Sequence, residues 1–147
     1  MLGAWATPRK RAMTVVFLAV CCICAIGAVL VGIADNPPGI LLAYSGATAL
    51  VLAFVHPWRT ARPFRRLLYA SVVGLVVFAI LHNAFEAAAT RAAGVGMLQG
   101  LLQGLSVVAF LLAVLLCPPG VVVGGVGSVI MFVRNRDRPA QGREGVA

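Results

Sequence analysis

Charged residues are scarce in this sequence, and acidic residues are the scarcest of them. Of the 147 residues, 11% are charged and 4 are Asp or Glu, whereas 61% are hydrophobic. The mean hydropathy is +1.00. In a soluble domain, about a quarter of the residues are charged. The composition therefore excludes a soluble globular protein and predicts an integral membrane protein.

The sequence also lacks the signatures of common enzyme classes. It contains no G-x-x-x-x-G-K-[ST], no H-E-x-x-H and no G-x-S-x-G motif, which mark nucleotide binding, zinc proteolysis and serine hydrolysis. Two imidazole or carboxylate ligands alone are too few for a metal site. We therefore expect no enzyme activity, no cofactor and no metal.

Basic residues outnumber acidic ones and give a net charge of +8. In a soluble chain this charge would raise the question of nucleic-acid binding. Here the basic residues cluster at the ends of apolar runs, where the positive-inside bias and anionic headgroups account for them. The predicted partner is membrane lipid, and nucleic acid is not expected. The residues that set the predicted topology are Arg9, Lys10, Arg11, Arg59, Arg62, Arg65, Arg66, Arg134, Arg136 and Arg138.

Four apolar stretches are long enough to cross a bilayer as helices, which takes about 20 residues each. They predict an all-α fold, a polytopic transmembrane four-helix bundle. This single transmembrane domain (12–133) lies between a basic N-terminus (1–11) and a disordered tail (134–147). The predicted spans are residues 12–34, 39–55, 66–86 and 104–133.

The sidedness of the spans follows from the basic clusters. All Lys and Arg residues except Arg91 fall on one predicted side, so we expect both termini to be cytoplasmic, in the plasma membrane. Residues 90–103, which contain several glycines, are predicted to form the second outer connection. Cleavage of the first span as a signal peptide is an alternative, because Gly32 to Ala34 loosely match a cleavage site.

Prolines mark a turn and an interruption. Asn36 before Pro37 is typical of an N-cap followed by a first-turn proline. The last span is too long for one straight crossing and too short for two. Pro118 and Pro119 lie within it, so the fourth helix is predicted to be broken there. A helix that ends near Cys117 and a re-entrant segment after it are the alternative.

Polar residues at the outer end of the third span form the candidate site. His82 and Glu86 are four residues apart and share one helix face, with Asn83 beside them. Asp35 is expected at the same level. Ionisable groups at membrane depth are costly, so these four residues suggest a proton-relay or cation site. Their position near a helix end favours ordinary interfacial groups instead, with Glu86 paired to His82 or Arg91.

Small residues recur every four positions along two stretches, a device by which membrane helices approach closely. The partner helix belongs either to the same chain or to another copy, and the sequence leaves both open. Gln99 and Gln103, on one face, are suited to hydrogen bonds across such a contact. The helix-packing residues are Gly96, Gly100, Gly104, Gly120, Gly124 and Ser128.

Three functional hypotheses follow. The first is a non-enzymatic membrane subunit or scaffold, either homo-oligomeric or joined to other membrane subunits. The second is a small proton- or cation-coupled channel or transporter with an outer polar site. The third, a membrane thiol-redox enzyme, depends only on the C-x-x-C spacing of Cys21 and Cys24. Small packing residues are the favoured interpretation of these cysteines, since a thiolate in hydrocarbon is poorly reactive.

Overall fold

The computed structural model describes residues 8–33 and 36–136, without the side chains of residues 135 and 136. Asp35, Arg138 and most of the predicted terminal segments lie outside this part of the chain. The elements of the described residues are all helical: α1 (Pro8–Val31), α2 (Pro37–Val55), α3 (Ala61–Arg91), α4 (Gly96–Leu111) and α5 (Cys117–Arg136), with a π-helical turn (Leu112–Leu116) between α4 and α5.

Four helical segments are long and apolar enough to cross a membrane. α1, α2 and α3 are the first three, and α4, the π-helical turn and α5 together form the fourth. The chain is a multi-pass membrane protein, and the all-α class predicted from the apolar runs is confirmed. The helices extend beyond several predicted spans because a helix continues past the bilayer as long as its backbone remains hydrogen-bonded.

The interruption of the fourth segment lies directly before Pro118 and Pro119 and takes the form of a π-helical turn. Neither proline has an N–H, and each ring crowds the carbonyl four residues earlier. The N–H of Cys117 donates to the carbonyl of Leu112, so the turn is wider than an α-helical one. The prolines then occupy the first turn of α5, where a missing N–H is tolerated. Residues after Cys117 continue as the helix α5 rather than ending there.

The turn between α1 and α2 is closed by a glycine and an asparagine. Gly32 has a φ of +86°, in the left-handed region that ends many helices. Asn36 occupies the predicted N-cap position before Pro37. Its side-chain amide donates to the carbonyl of Val31 at 2.8 Å, so it satisfies the end of α1. Gly39 lies so close to the Gly32 carbonyl that a Cβ would not fit.

The turn between α3 and α4 is much shorter than predicted. The sequence predicts a connection over residues 90–103, but α3 ends at Arg91 and α4 begins at Gly96. Gly94, with a φ of +106°, makes the turn. A glycine inside a helix costs about 1 kcal/mol relative to alanine. An unpaired backbone group in a membrane costs several times more, so the glycine-rich stretch is helical.

The helices pack as two antiparallel hairpins that meet along α2. α1 lies along α2, α4 and α5 lie along α3, and α2 contacts both α5 and the π-helical turn. The buried residues are mostly small: Ala28, Ala49 and Ala53 in the first hairpin, and Ala109 and Ala113 in the second. Small side chains bring helix backbones together where no hydrophobic effect drives their association.

The bundle has two different ends. The basic end carries the α2–α3 turn, and Val51, Val55 and Phe64 form a buried cluster beside it. The opposite end, called the cleft end after the polar cleft that opens there, carries the α3–α4 turn. The fourth segment is 39 residues long against 24 for α1 and 19 for α2. At about 1.5 Å per residue it reaches about 58 Å, whereas a bilayer core is about 30 Å thick. The fourth segment is therefore longer than a bilayer core, and its first part, α4, contacts α3 and the π-helical turn.

Candidate functional site

A polar cleft of about 540 Å³ lies between the end of α3 and the start of α4. α3 contributes His82, Glu86 and Thr90, and α4 contributes Gln99, Gln103 and Ser106. Ala89, Ala93 and Val107 complete the lining, and the small side chains of the alanines leave the space open. The cleft combines one carboxylate, one imidazole, two amides and two hydroxyl groups within one hairpin.

His82 joins α3 to α4 through Ser106. The Nδ1 atom of His82 lies 2.8 Å from the Ser106 hydroxyl oxygen and 3.1 Å from the Ser106 carbonyl oxygen. The Ser106 hydroxyl lies 3.3 Å from the carbonyl oxygen of His82, to which it donates. Ser106 is 5% exposed. The His82 ring also packs against Phe110, with ring centroids 5.2 Å apart. This reciprocal contact sets the register of the two helices.

Ser106, His82 and Glu86 lie in a row, as do the nucleophile, the base and the orienting carboxylate of a catalytic triad. Ser106, however, is 5% exposed, and its hydroxyl lies within hydrogen-bond distance of the His82 carbonyl oxygen as well as of the His82 ring. Both of these partners lie on the facing helix, so Ser106 is placed as a contact between α3 and α4.

Glu86 lies beside His82, as the spacing of the two residues predicts. Its Oε2 atom lies 3.5 Å from the Nε2 atom of His82, one helical turn away. The Glu86 side chain is 66% exposed and the His82 side chain 28%. The hydroxyl of Thr90 donates to the Glu86 backbone carbonyl at 2.9 Å and so stays on its own helix. The carboxylate therefore reaches the open side of the cleft.

Gln99 and Gln103 face the same cleft from α4. Their amide groups make no hydrogen bond within the described residues. The sequence predicts these two residues as a pair on one face but does not place them beside His82. Sequence reasoning misses Ser106 altogether. Its one sequence signal is that it is the sole hydroxyl in the apolar stretch from Leu105 to Leu116.

One described residue of the predicted polar site, Asn83, does not line the cleft. The amide of Asn83 donates to the carbonyl of Ala79 at 2.8 Å on its own helix, and its side chain is exposed. Asp35 lies outside the described residues. The lining of the cleft also stops short of the π-helical turn and of Pro118.

The two small-residue ridges have different environments. A Cβ on Gly120 would collide with the Ser71 side chain. A Cβ on Gly124 would lie 2.7 Å from the backbone nitrogen of Leu68, so this ridge packs on α3. Ser128 donates to the Gly124 carbonyl at 2.7 Å. On the other ridge a Cβ would meet nothing within 4 Å at any of its three glycines, Gly96, Gly100 and Gly104.

The cysteines with the C-x-x-C spacing lie at a helix contact. Cys21 and Cys24 face α2, where a Cβ on Gly46 would lie 3.2 Å from the Cys24 Cβ. A Cβ on Gly74 of α3 would lie 3.4 Å from the sulfur of Cys117. All four cysteines are free thiols. Their surroundings are those of small packing residues.

The predicted topology residues gather at the basic end, as far as the structure describes them. Phe17 of α1 packs against His56 at the end of α2, with ring centroids 6.0 Å apart. The start of α1 therefore lies beside the α2–α3 turn, whereas Arg91 lies at the cleft end. The side chain of Arg136 and all of Arg138 are outside the described residues. The basic end carries Arg9, Lys10, Arg11, Arg59, Arg62, Arg65, Arg66 and Arg134.

Fold and site define an all-α, multi-pass membrane protein with a polar cleft at one end and a basic surface at the other. Within the part of the chain that the structure describes, no group of three or more His, Cys, Asp or Glu side chains is placed to hold a metal ion. Comparison with protein-family models, curated proteins and solved structures finds no match to this chain. Function must therefore be argued from the surfaces themselves.

Proposed function

We propose that this protein is a non-enzymatic membrane subunit that associates with a second copy of itself through the open ridge of α4, defined by Gly96, Gly100 and Gly104. One observation carries the proposal: a Cβ on any glycine of this ridge would meet nothing within 4 Å, whereas the ridge of Gly120 and Gly124 is filled by α3. Glycines at this spacing are useful in a membrane helix where another backbone approaches. In a second copy, the same ridge supplies such a backbone.

The surroundings of the ridge support a partner helix. α4 packs on α3 beyond the main contacts of α1 and α2, so much of its circumference is free. Met97, beside the ridge, is 93% exposed. Gln99 and Gln103 border the ridge with amides that have no hydrogen bond in the described residues. Amides hydrogen-bond across membrane helix contacts, which contributes about 0.6 kcal/mol per bond on average.

The same proposal includes an orientation. Both termini and the α2–α3 turn are placed on the cytoplasmic side of the plasma membrane, because basic residues concentrate at cytoplasmic ends. The cleft and the open ridge then lie toward the outer side.

Gly100→Leu tests the association. The leucine should fill the ridge with little effect on the chain's own packing, because a Cβ at that position would meet nothing within 4 Å. Copies fused to donor and acceptor fluorophores are mixed in liposomes at a fixed protein-to-lipid ratio. Energy transfer is expected in the wild type and is expected to fall to the level of random mixing in Gly100→Leu.

Gly125→Leu is the matched control. Gly125 is also a helical glycine with nothing within 4 Å, but it lies on α5 and outside the ridge. Energy transfer should be unchanged in this variant. Wild-type copies that mix at random, or equal losses in the two variants, would contradict association through α4.

Cation transport is the second candidate function, and the cleft supports it. Glu86, Gln99 and Gln103 present a carboxylate and two amide groups to one open space. Such groups suit a cation that exchanges part of its hydration. In proteoliposomes, Glu86→Gln should lower cation flux to the level of empty liposomes, while Asn83→Ala, outside the cleft, should not. Because the cleft lining does not reach the π-helical turn, a continuous path lacks support and this function ranks second.

A further inference from the structure

Two apolar grooves flank the end of α2, and they differ in the polar residues of their lining. Each has a volume of about 360 Å³. The α2–α3 groove is lined by apolar residues and by Ser71, without any charged residue. The α2–α5 groove is lined by Val123, Val126 and Ile130 along one wall and has His56 and Arg59 in its lining. Val55 and Trp58 border both grooves.

We propose that the α2–α5 groove binds an anionic phospholipid, with an acyl chain along α5 and the phosphate on Arg59. The proposal is independent of association through α4, which takes place at the other end of the bundle. Its basis is the coincidence of an open apolar channel and a guanidinium at its mouth, next to a turn rich in arginine.

The apolar part of the groove is open to its surroundings. Val126 is 53% exposed and Ile130 is 54% exposed, although both line a concave surface. In a membrane such a surface takes up acyl chains, and a concave one holds a chain more closely than a flat one. The floor of the groove is formed by packed aromatic rings. Phe64 is buried, and its ring meets that of Trp58 edge to face with centroids 5.3 Å apart.

The positive charge of Arg59 at the mouth of the α2–α5 groove favours an anionic headgroup. Arg59 is exposed and makes no ion pair within the described residues. Arg62, Arg65 and Arg66 follow at the start of α3. Glu86 is the sole carboxylate in residues 8–33 and 36–136, and it lies at the opposite end of α3. A guanidinium binds phosphate with two parallel hydrogen bonds, so an anionic lipid supplies the missing counter-charge.

Trp58 reports on the groove directly. The chain has two tryptophans, Trp5 and Trp58, so Trp5→Phe leaves one reporter. This protein is reconstituted in phosphatidylcholine liposomes that contain a minor fraction of lipid with brominated chains, either phosphatidylglycerol or phosphatidylcholine. Bromine quenches tryptophan at short range. The brominated anionic lipid is expected to associate with Trp58 about fivefold more strongly than the neutral one.

Three substitutions in this background locate the site. Arg59→Gln should reduce quenching by brominated phosphatidylglycerol to the level of the neutral lipid, and Arg59→Lys should retain part of the preference. Arg62→Gln removes the same charge at the start of α3 but lies outside the groove lining, and it should leave the preference intact. Val126→Phe narrows the groove and should lower quenching by both lipids, whereas Val133→Phe should not.

Equal quenching by the two lipids in the Trp5→Phe protein would overturn the proposal. So would equal losses in Arg59→Gln and Arg62→Gln, which would indicate diffuse attraction to a basic surface. Quenching that falls as the protein-to-lipid ratio rises would assign the groove to a second copy of the chain and would also overturn it.

Discussion

At the scale of single residues, Ser106 makes the contact that holds α4 against α3. Its hydroxyl donates to the His82 carbonyl, and both its oxygen atoms lie within reach of the His82 ring. Ser106 is buried, so water is not available to replace these bonds. Loss of the hydroxyl leaves the His82 carbonyl without this donor.

Ser106→Ala is therefore expected to destabilise the protein by about 1 kcal/mol, near the upper range for hydrogen bonds between membrane helices. The free energy of unfolding in mixed micelles, followed by circular dichroism during titration with a denaturing detergent, measures it. Ser128→Ala is the control, because the Ser128 hydroxyl bonds only to Gly124 on its own helix. A loss in Ser128→Ala as large as that in Ser106→Ala would contradict a special role for Ser106.

Of the candidate site, the sequence shows only what lies on one helix. The four-residue spacing of His82 and Glu86 places them on one face, and the structure pairs them. Ser106 lies 24 residues from His82, and its position depends on the register of α4 against α3. Hydrophobic periodicity does not specify that register, because lipid-facing and helix-facing positions are equally apolar. For the same reason, the sequence identifies the two glutamines as a pair but not as neighbours of His82.

At the scale of helices, the two glycine ridges have opposite tolerance to substitution. Both have the same small-xxx-small spacing in the sequence, so only their neighbours tell them apart. A Cβ on Gly124 would lie 3.0 Å from the carbonyl oxygen of Phe64 and 2.7 Å from the nitrogen of Leu68, both backbone atoms that cannot move aside alone. A Cβ on Gly100 would meet open space.

Gly124→Ala is accordingly expected to cost about 1–3 kcal/mol, the usual range for overpacking. Gly100→Ala should be neutral or slightly stabilising in the monomer, since alanine favours a helix over glycine by about 1 kcal/mol. Both are measured as the free energy of unfolding in dilute micelles, where copies are separated. A neutral Gly124→Ala would contradict close packing of α5 on α3.

The ends of helices are the least predictable elements, and α4 illustrates the reason. The number of spans can be predicted from the sequence, because each long apolar run must be surrounded by either lipid or protein. Gly94, Gly96 and Gly100 look alike in sequence, yet Gly94 turns the chain and the other two are helical. The same ambiguity affects Pro118 and Pro119, which are compatible with a chain break but are accommodated by a π-helical turn in front of them.

At the scale of the whole molecule, the two ends of the bundle should face opposite sides of the membrane. Arg59 in the α2–α3 turn and the arginines at the start of α3 lie at one end, whereas Arg91, the last residue of α3, is the one basic residue beside the α3–α4 turn. Because arginine-rich ends remain on the cytoplasmic side during insertion, single cysteines placed in the two turns should react from different sides.

Thr60→Cys and Ala93→Cys are suitable, since both positions are exposed. The four native cysteines are replaced by alanine first, because Cys22 is exposed on α1. In intact cells a membrane-impermeant maleimide should label Ala93→Cys, and Thr60→Cys should react only after permeabilisation. The opposite pattern would invert the proposed orientation. It would also place the cleft and the open ridge of α4 toward the cytoplasm, where a partner would have to meet them.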